Sequence, residues 1–297
     1  MKRAKTWLGV LVAVVVLVAA GWFVLDREDE TVATLIAKAE VGNTAAQARL
    51  AKRYVEGRGM GQSYAEAVRW YQSAAEAGEA MAQNELGLLY ASGRGVPRDG
   101  RQAFHWIGKA AGQDYLQAIS NMGILYAQGI GTEPSFEEAV RWWQKAAKLG
   151  DLYAQYNLAV AYKDGKGVEK NANEAFRWMR EAARQKEPTA HHSLGVMYME
   201  GIGVEKNEKE GVLWIERAAE EGYVYSQYTL GDVHAKGRGV PKDIIKAYAW
   251  YTLAYEEGLH ASVVARAELE VKMTDTEIAA AKALAKTLIR EDVKPRY

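Results

Sequence analysis

The 297-residue chain has no cysteine, which excludes disulfide staples, thiolate catalysis, Cys-ligated zinc and iron–sulfur clusters. It also lacks net charge: 38 Lys and Arg stand against 38 Asp and Glu. A generic nucleic-acid binder is therefore excluded, because it needs a basic excess to displace counterions from phosphates. Phenylalanine is scarce, 4 residues against 9 Trp and 17 Tyr, and this imbalance is periodic rather than random. The length allows one large domain or two ordinary ones, with ample chain for a continuous core.

Charge is absent altogether from Trp7 to Leu25, WLGVLVAVVVLVAAGWFVL. Nineteen helical residues at about 1.5 Å rise span about 28 Å, close to the ~30 Å hydrocarbon core of a bilayer. Lys2, Arg3 and Lys5 precede the run, whereas Asp26, Glu28, Asp29 and Glu30 follow it with only Arg27 opposing them. Positive residues stay cytoplasmic, so an amino-terminal transmembrane anchor is expected, with residues 1–6 inside and the rest of the chain across the membrane. A cleaved signal peptide, leaving a soluble periplasmic protein, is the alternative, since Val18-Ala19-Ala20 resembles a cleavage site. Trp22-Phe23-Val24-Leu25 continues the apolar run past that point and favours retention. Without its first three basic residues the chain has 35 basic against 38 acidic groups, which gives no support to a basic surface for anionic lipids.

The aromatic excess lies in a repeat. Trp70, Trp106, Trp142, Trp178, Trp214 and Trp250 stand 36 residues apart. The pairs Gly57/Gly59, Gly93/Gly95, Gly129/Gly131, Gly165/Gly167, Gly201/Gly203 and Gly237/Gly239 keep the same period. So do Tyr54, Tyr90, Tyr126, Tyr162 and Tyr198, with His234 in the sixth slot, and the column Leu50, Leu86, Met122, Leu158, Leu194 and Leu230. Such self-similarity signals stacked repeats. Within one unit, Ala82, Leu86, Leu89 and Tyr90 follow i, i+4, i+7, i+8 spacing, one face of a helix. Gly93-Arg94-Gly95-Val96-Pro97 ends it, and a second helix follows from about Asp99 with Ala103, Trp106, Ile107 and Ala110 inward. The small residues Gly87, Ala103, Ala110 and Ala111 let the paired helices approach, while Trp106 fills the space between units. Neither helix buries its face alone, so each unit requires its neighbours.

The recurring A-x3-L-G-x2-Y-x2-G-x-G-V, followed by A-x2-W-x3-A-A, resembles the Sel1-like repeat, a relative of the tetratricopeptide repeat. Residues 82–96 match the pattern almost throughout, and the resemblance covers six units, about residues 43–258. Departures are local: Ala51 and Ala159 replace the helix glycine, Gly211 an alanine and His234 the tyrosine. The resemblance implies an all-α, right-handed α-solenoid of six 36-residue helix–turn–helix repeats, of a membrane-anchored bacterial type, and protein–protein contacts rather than chemistry. Residues 26–42 join an acidic linker to a half-repeat cap, in which Leu35-Ile36 fill the core and Gly42 takes the terminal glycine slot. Residues 259–297 form a carboxy-terminal helical cap, with Thr274-Asp275-Thr276-Glu277 as a capping box, Ile278, Ala281, Leu284, Ala285 and Leu288 inward, and Asp292 to Tyr297 frayed.

A search for chemistry yields little. The histidines are His105, His191, His192, His234 and His260, and the adjacent His191 and His192 point about 100° apart on a helix, too far to share a metal. The repeated G-x-G follows a helix, lacks a Gly-Lys-Ser/Thr ending and recurs in every unit, so it reads as a turn rather than a phosphate cradle. Glu137-Glu138 and Glu220-Glu221 sit beside basic residues on faces expected to be wet. No catalytic residue, metal site or cofactor is expected.

A partner surface remains. In similar repeats the first helix of each pair lines a concave groove. Two residues before the Leu column stand Ala48, Asn84, Ser120, Tyr156, His192 and Tyr228; three further upstream stand Ala45, Met81, Gln117, Tyr153, Thr189 and Tyr225. Tyr presents large contact area at small entropic cost. The candidate contact residues for a protein or peptide are thus Asn84, Tyr153, Tyr156, His192, Tyr225 and Tyr228. The rival is an envelope hydrolase or wall-polymer-binding accessory whose tyrosines stack on sugars. A hydrolase site would need paired carboxylates, for which Asp232 is the lone candidate.

Overall fold

The computed structural model describes residues 31–288, and every regular element among them is an α-helix. The expected membrane segment, residues 7–25, and the final residues 289–297 lie outside the described residues. Among the described residues no helix is long and apolar enough to cross a membrane.

A single short helix, α1 (Val32–Glu40), precedes six helix pairs. The first helices are α2 (Thr44–Glu56), α4 (Ala80–Ser92), α6 (Leu116–Gln128), α8 (Leu152–Asp164), α10 (Pro188–Glu200) and α12 (Val224–Lys236). Their partners are α3 (Tyr64–Glu76), α5 (Gly100–Gly112), α7 (Phe136–Lys148), α9 (Ala172–Ala183), α11 (Glu208–Glu220) and α13 (Ile244–Glu256). Two further helices, α14 (Ala261–Glu270) and α15 (Asp275–Leu288), close the described chain. The chain divides into two compact bodies, one holding residues up to 118 with 130–132, the other residues 119–129 with 133 onward.

The regularity has local causes. Each second helix begins at a residue whose side chain accepts a hydrogen bond from the backbone N–H three positions on: Ser63, Asp99, Ser135, Asn171, Asn207 and Asp243. This satisfies one of the orphan donors of the first turn, and the six caps stand 36 residues apart. The N–H of each cap in turn bonds the carbonyl of the Tyr54-column residue, at 2.8–3.0 Å, which closes every loop identically. Gly95 shows why the second glycine of each pair is needed: its φ is +75°, and a Cβ there would stand 2.4 Å from the Tyr64 carbonyl. The glycine of the first helix serves packing instead, since a Cβ on Gly123 would lie 2.3 Å from the Trp143 indole nitrogen.

In the first body, Leu35 and Ala39 of α1 pack with Ala46 and Leu50. A second cluster joins Ala51, Tyr71, Ala74, Leu86 and Trp106. Thr31 caps α1, and Gly42 takes φ +87° after it. In the second body, Leu230, Trp250, Tyr251 and Leu269 pack with Ala281 and Ala285, and Ile278, Leu284 and Leu288 lean on the same cluster. The capping box is present: Thr274 N–H donates to Glu277 at 2.8 Å, and Glu277 N–H donates to the Thr274 hydroxyl at 3.3 Å. The entire Leu50 column is buried. The Trp70 column is not uniformly buried. Trp142 is only half-buried, with Lys145 over its ring, while its neighbour Trp143 is the buried indole. In that repeat the large side chain fills the slot that Ile107 and Ile215 hold elsewhere.

A candidate partner surface on the first helices

The two columns nominated as contact positions behave differently. In the upstream column Tyr153 and Tyr225 are 65% and 54% exposed. In the other column Asn84 is only 1% exposed, and Ala48 and Ser120 are also buried. Asn84 donates its amide to the Glu85 carboxylate at 2.9 Å, and burial raises that carboxyl above its ordinary range. Asn84 is thus a packing residue rather than a contact residue. Its column lies along the seam between successive first helices, as the contacts of the second body show. Ser120 donates to Asp151 at 2.7 Å, the Tyr156 hydroxyl lies 3.3 Å from Ser193, and His192 Nδ1 lies 2.8 Å from the Ser226 hydroxyl.

Short side chains in the seam vanish from the surface; large ones reach its rim. Tyr156, His192 and Tyr228 are accordingly half-buried rather than solvent-facing, a second correction. Tyr228 leans on the core beside Tyr251, with ring centroids 5.4 Å apart. Tyr156 and His192 border the exposed Tyr225 through a residue that column reasoning missed, Tyr223. Its ring is 5.4 Å from His192 and 5.6 Å from Tyr225. Burial first, then the neighbouring Tyr156 and Tyr225 phenols, push the Tyr223 hydroxyl pKa up. Tyr223 is the N-cap residue of α12 and offers no side-chain cap, where the same slot two repeats earlier holds the capping Asp151. That loss of a cap acceptor was the available sequence signal.

Burial holds the His192 imidazole down to about 4, so the ring is neutral at pH 7. The short His192–Ser226 contact has the look of a nucleophile and its base, but Ser226 is completely buried and unreachable by substrate. Asp232, the candidate acid, is engaged by the Tyr251 hydroxyl and by Lys236 at 2.7 Å. Among the described residues no group of three or more His, Asp or Glu could hold a metal ion. His191 points elsewhere: it is buried, with Nε2 3.0 Å from the Ala183 carbonyl and its ring 5.4 Å from Trp214.

That His191 contact belongs to a repeated device which the sequence reading also missed. Gln47, Gln83 and Gln155 occupy the same slot and donate to the carbonyls of Ala39, Ala75 and Ala147 at 3.0–3.2 Å. Each carbonyl lies in the last turn of the preceding helix, where helical partners run out. A buried amide thus ties three of the first helices, α2, α4 and α8, to the helix before them, and the His191 imidazole does the same for α10.

The Sel1 repeat family matches the chain in six consecutive segments, residues 44–79, 80–115, 116–151, 152–187, 188–223 and 224–259. The chain belongs to the Sel1 repeat family. Among solved structures, a Sel1 repeat protein from Oxalobacter formigenes is 35% identical, with a TM-score of 0.68 over 73% of this chain and 89% of that one. A protective antigen present in uropathogenic Escherichia coli strains, displaying an SLR fold, is 31% identical with a TM-score of 0.75. The alignment covers 85% of this chain but spans only 55% of the length of the antigen chain. No curated protein matches. Sel1 repeats generally bind protein partners and act as scaffolds rather than catalysts.

Proposed function

We propose that this Sel1 repeat protein is a non-catalytic scaffold or adaptor of the bacterial envelope, held in the inner membrane by residues 7–25, with its amino terminus cytoplasmic and its repeats in the periplasm. One observation carries the interaction half of this reading. Tyr153 and Tyr225 are exposed in a first-helix slot, and Tyr225 continues through Tyr223 into His192 and Tyr156. Exposed tyrosines at helical positions that the core does not need are the material of interface hot spots. The membrane half rests on the uncharged run and its flanking charges.

The interaction half is tested by replacing Tyr153, Tyr223 and Tyr225 together with Ala in the full-length chain and isolating crosslinked complexes from membranes. Loss of a partner held by the wild type, with an unchanged melting temperature, supports the reading; retention of that partner refutes it. The control is Lys145→Ala, an exposed position on the second helix α7. For topology, protease added to spheroplasts should digest the repeats, and the mature chain should retain residues 7–25. Protection would overturn the orientation, and a mature amino terminus at Gly21 would establish a soluble periplasmic protein instead.

A further inference from the structure

The seam between successive first helices is left open at its last step. In the 36-residue register, α14 takes the place of a seventh first helix. The buried Leu column reaches position 266, which is Arg266. Its guanidinium lies over the rings of Tyr248 and Tyr255, at 5.0 and 4.8 Å, and donates to the Tyr248 hydroxyl at 3.0 Å. The seam column reaches Val264, which is 63% exposed where Ala48, Asn84 and Ser120 are buried. Between α12 and α14 stands a cavity of about 350 Å³, within the ~300–1,000 Å³ that ligand sites occupy. The two seam residues Tyr228 and Val264 line it, together with Ile244 and Leu269.

The charged groups bordering the cavity are Lys236, Lys242 and Lys272 against Asp232 and Glu268. Asp232 is already engaged, one oxygen by the Tyr251 hydroxyl and the other by Lys236. That leaves Lys242 and Lys272 facing Glu268, all three exposed. Among the described residues no ion pair engages either lysine. Lys242 precedes α13 and Lys272 follows α14, so the two cations flank one apolar opening from separate elements. An apolar centre inside a charged rim is the anatomy of an anchor site for a protein segment. A lipid surface calls for a cluster of about 4–8 basic residues, and here two carboxylates interrupt three lysines. The volume equals a cube about 7 Å on a side, narrower than a helix with its side chains at about 10 Å. The cavity therefore suits one side chain of an extended segment, and the two unpaired lysines favour carboxylates on either side of it.

Building on the scaffold reading, we propose that the cavity between α12 and α14 binds an extended acidic segment of a protein partner, with one large apolar side chain inside and flanking carboxylates on Lys242 and Lys272. The probe is an end-blocked, fluorescently labelled peptide with a central Leu flanked by Asp residues in a Gly/Ser context. It is titrated into the full-length protein held in neutral-lipid nanodiscs and read by anisotropy. This peptide binds, whereas counterparts with Ser for the Leu, or Lys for the Asp residues, do not. Val264→Glu, at an exposed position, weakens binding about tenfold or more by setting a carboxylate in the mouth. Lys242→Ala combined with Lys272→Ala does the same, and Glu268→Gln tightens binding by removing a like charge. Affinity falls as salt rises from about 0.05 to 0.5 M, as an exposed charged rim requires. Equal binding of the Ser or Lys counterpart overturns the proposal, and so does unchanged affinity in both Val264→Glu and the double lysine variant. Binding of free octanoate without binding of the peptide overturns it too, as does a dimer of this chain that Val264→Glu dissolves. A partner protein that crosslinks at position 225, in a chain that ignores the acidic peptide, overturns this inference alone and leaves the scaffold reading standing.

Discussion

Repeat 2 and repeats 4–6 use the same helix positions for opposite ends. In repeat 2 the seam slot holds Asn84, buried and bonded to Glu85. In repeats 4–6 the seam holds Tyr156, His192 and Tyr228, too large to be covered, and the slot upstream adds the exposed Tyr153 and Tyr225. The Leu column, the glycine turns and the caps of the second helices are alike in both regions, so the scaffold does not explain the difference. Side-chain size in one seam does. A tandem repeat keeps its packing columns fixed, and recognition is free to vary only where a column tolerates change.

Four measurements break or sharpen this contrast, in descending order of effect. Trp143→Ala sets the scale of pure packing: it should cost about 3–5 kcal/mol, with Trp142→Ala costing less than half as much, because only Trp143 is buried. Chemical unfolding measures both, and equal losses would return the packing role to the Trp142 column. The second measurement is pH dependence at the seam. The folded-state pKa of His192 is depressed to about 4 from the ordinary 6.5, so the unfolded chain binds the extra proton between those values. Stability is fully present above about pH 6.5 and is lost as pH falls toward 4, by up to about 3 kcal/mol. Asn84 does not titrate, so His192→Asn should remove this part of the acid loss; an unchanged profile would show that His192 contributes none of it. The smaller depression at His234, from burial and then Lys246, acts in the same direction and remains in the variant.

Third, Asn84→Ala leaves the Glu85 carboxylate without its amide donor and should destabilise by about 1–2 kcal/mol. No loss on thermal unfolding would return Asn84 to the surface. Last, Tyr225→Ala should change stability by less than about 0.5 kcal/mol, as an exposed residue does. A much lower melting temperature would make Tyr225 a packing residue and erase the contrast.

The packing of this chain was legible in its sequence because packing repeats. The Leu column, the paired glycines and the Thr274–Glu277 capping box all carry signatures tied to one backbone requirement each. The seam was harder to see. A residue two positions before Leu86 points about 200° away around the helix, which on an isolated helix is the wet side. In a stack that side meets the next first helix, and only the contacts of Ser120, Tyr156 and His192 reveal it. The buried glutamines were missed for a related reason. Gln47, Gln83 and Gln155 read as surface polar residues until the carbonyls of Ala39, Ala75 and Ala147 are brought to meet them. Tyr223 stands outside both columns examined, at a cap position, although the absent cap acceptor marked it.

The central claim, that recognition belongs to the aromatic rim of repeats 4–6 and not to the face as a whole, is tested most directly by paired photocrosslinking. A photoreactive amino acid is placed at Tyr225, or at Met81 in the equivalent slot of repeat 2, in the full-length chain within cells. The account predicts a discrete crosslinked partner from position 225 that Tyr223→Ala abolishes, and none from position 81. The same partner captured equally from both positions, or from position 81 alone, would contradict it.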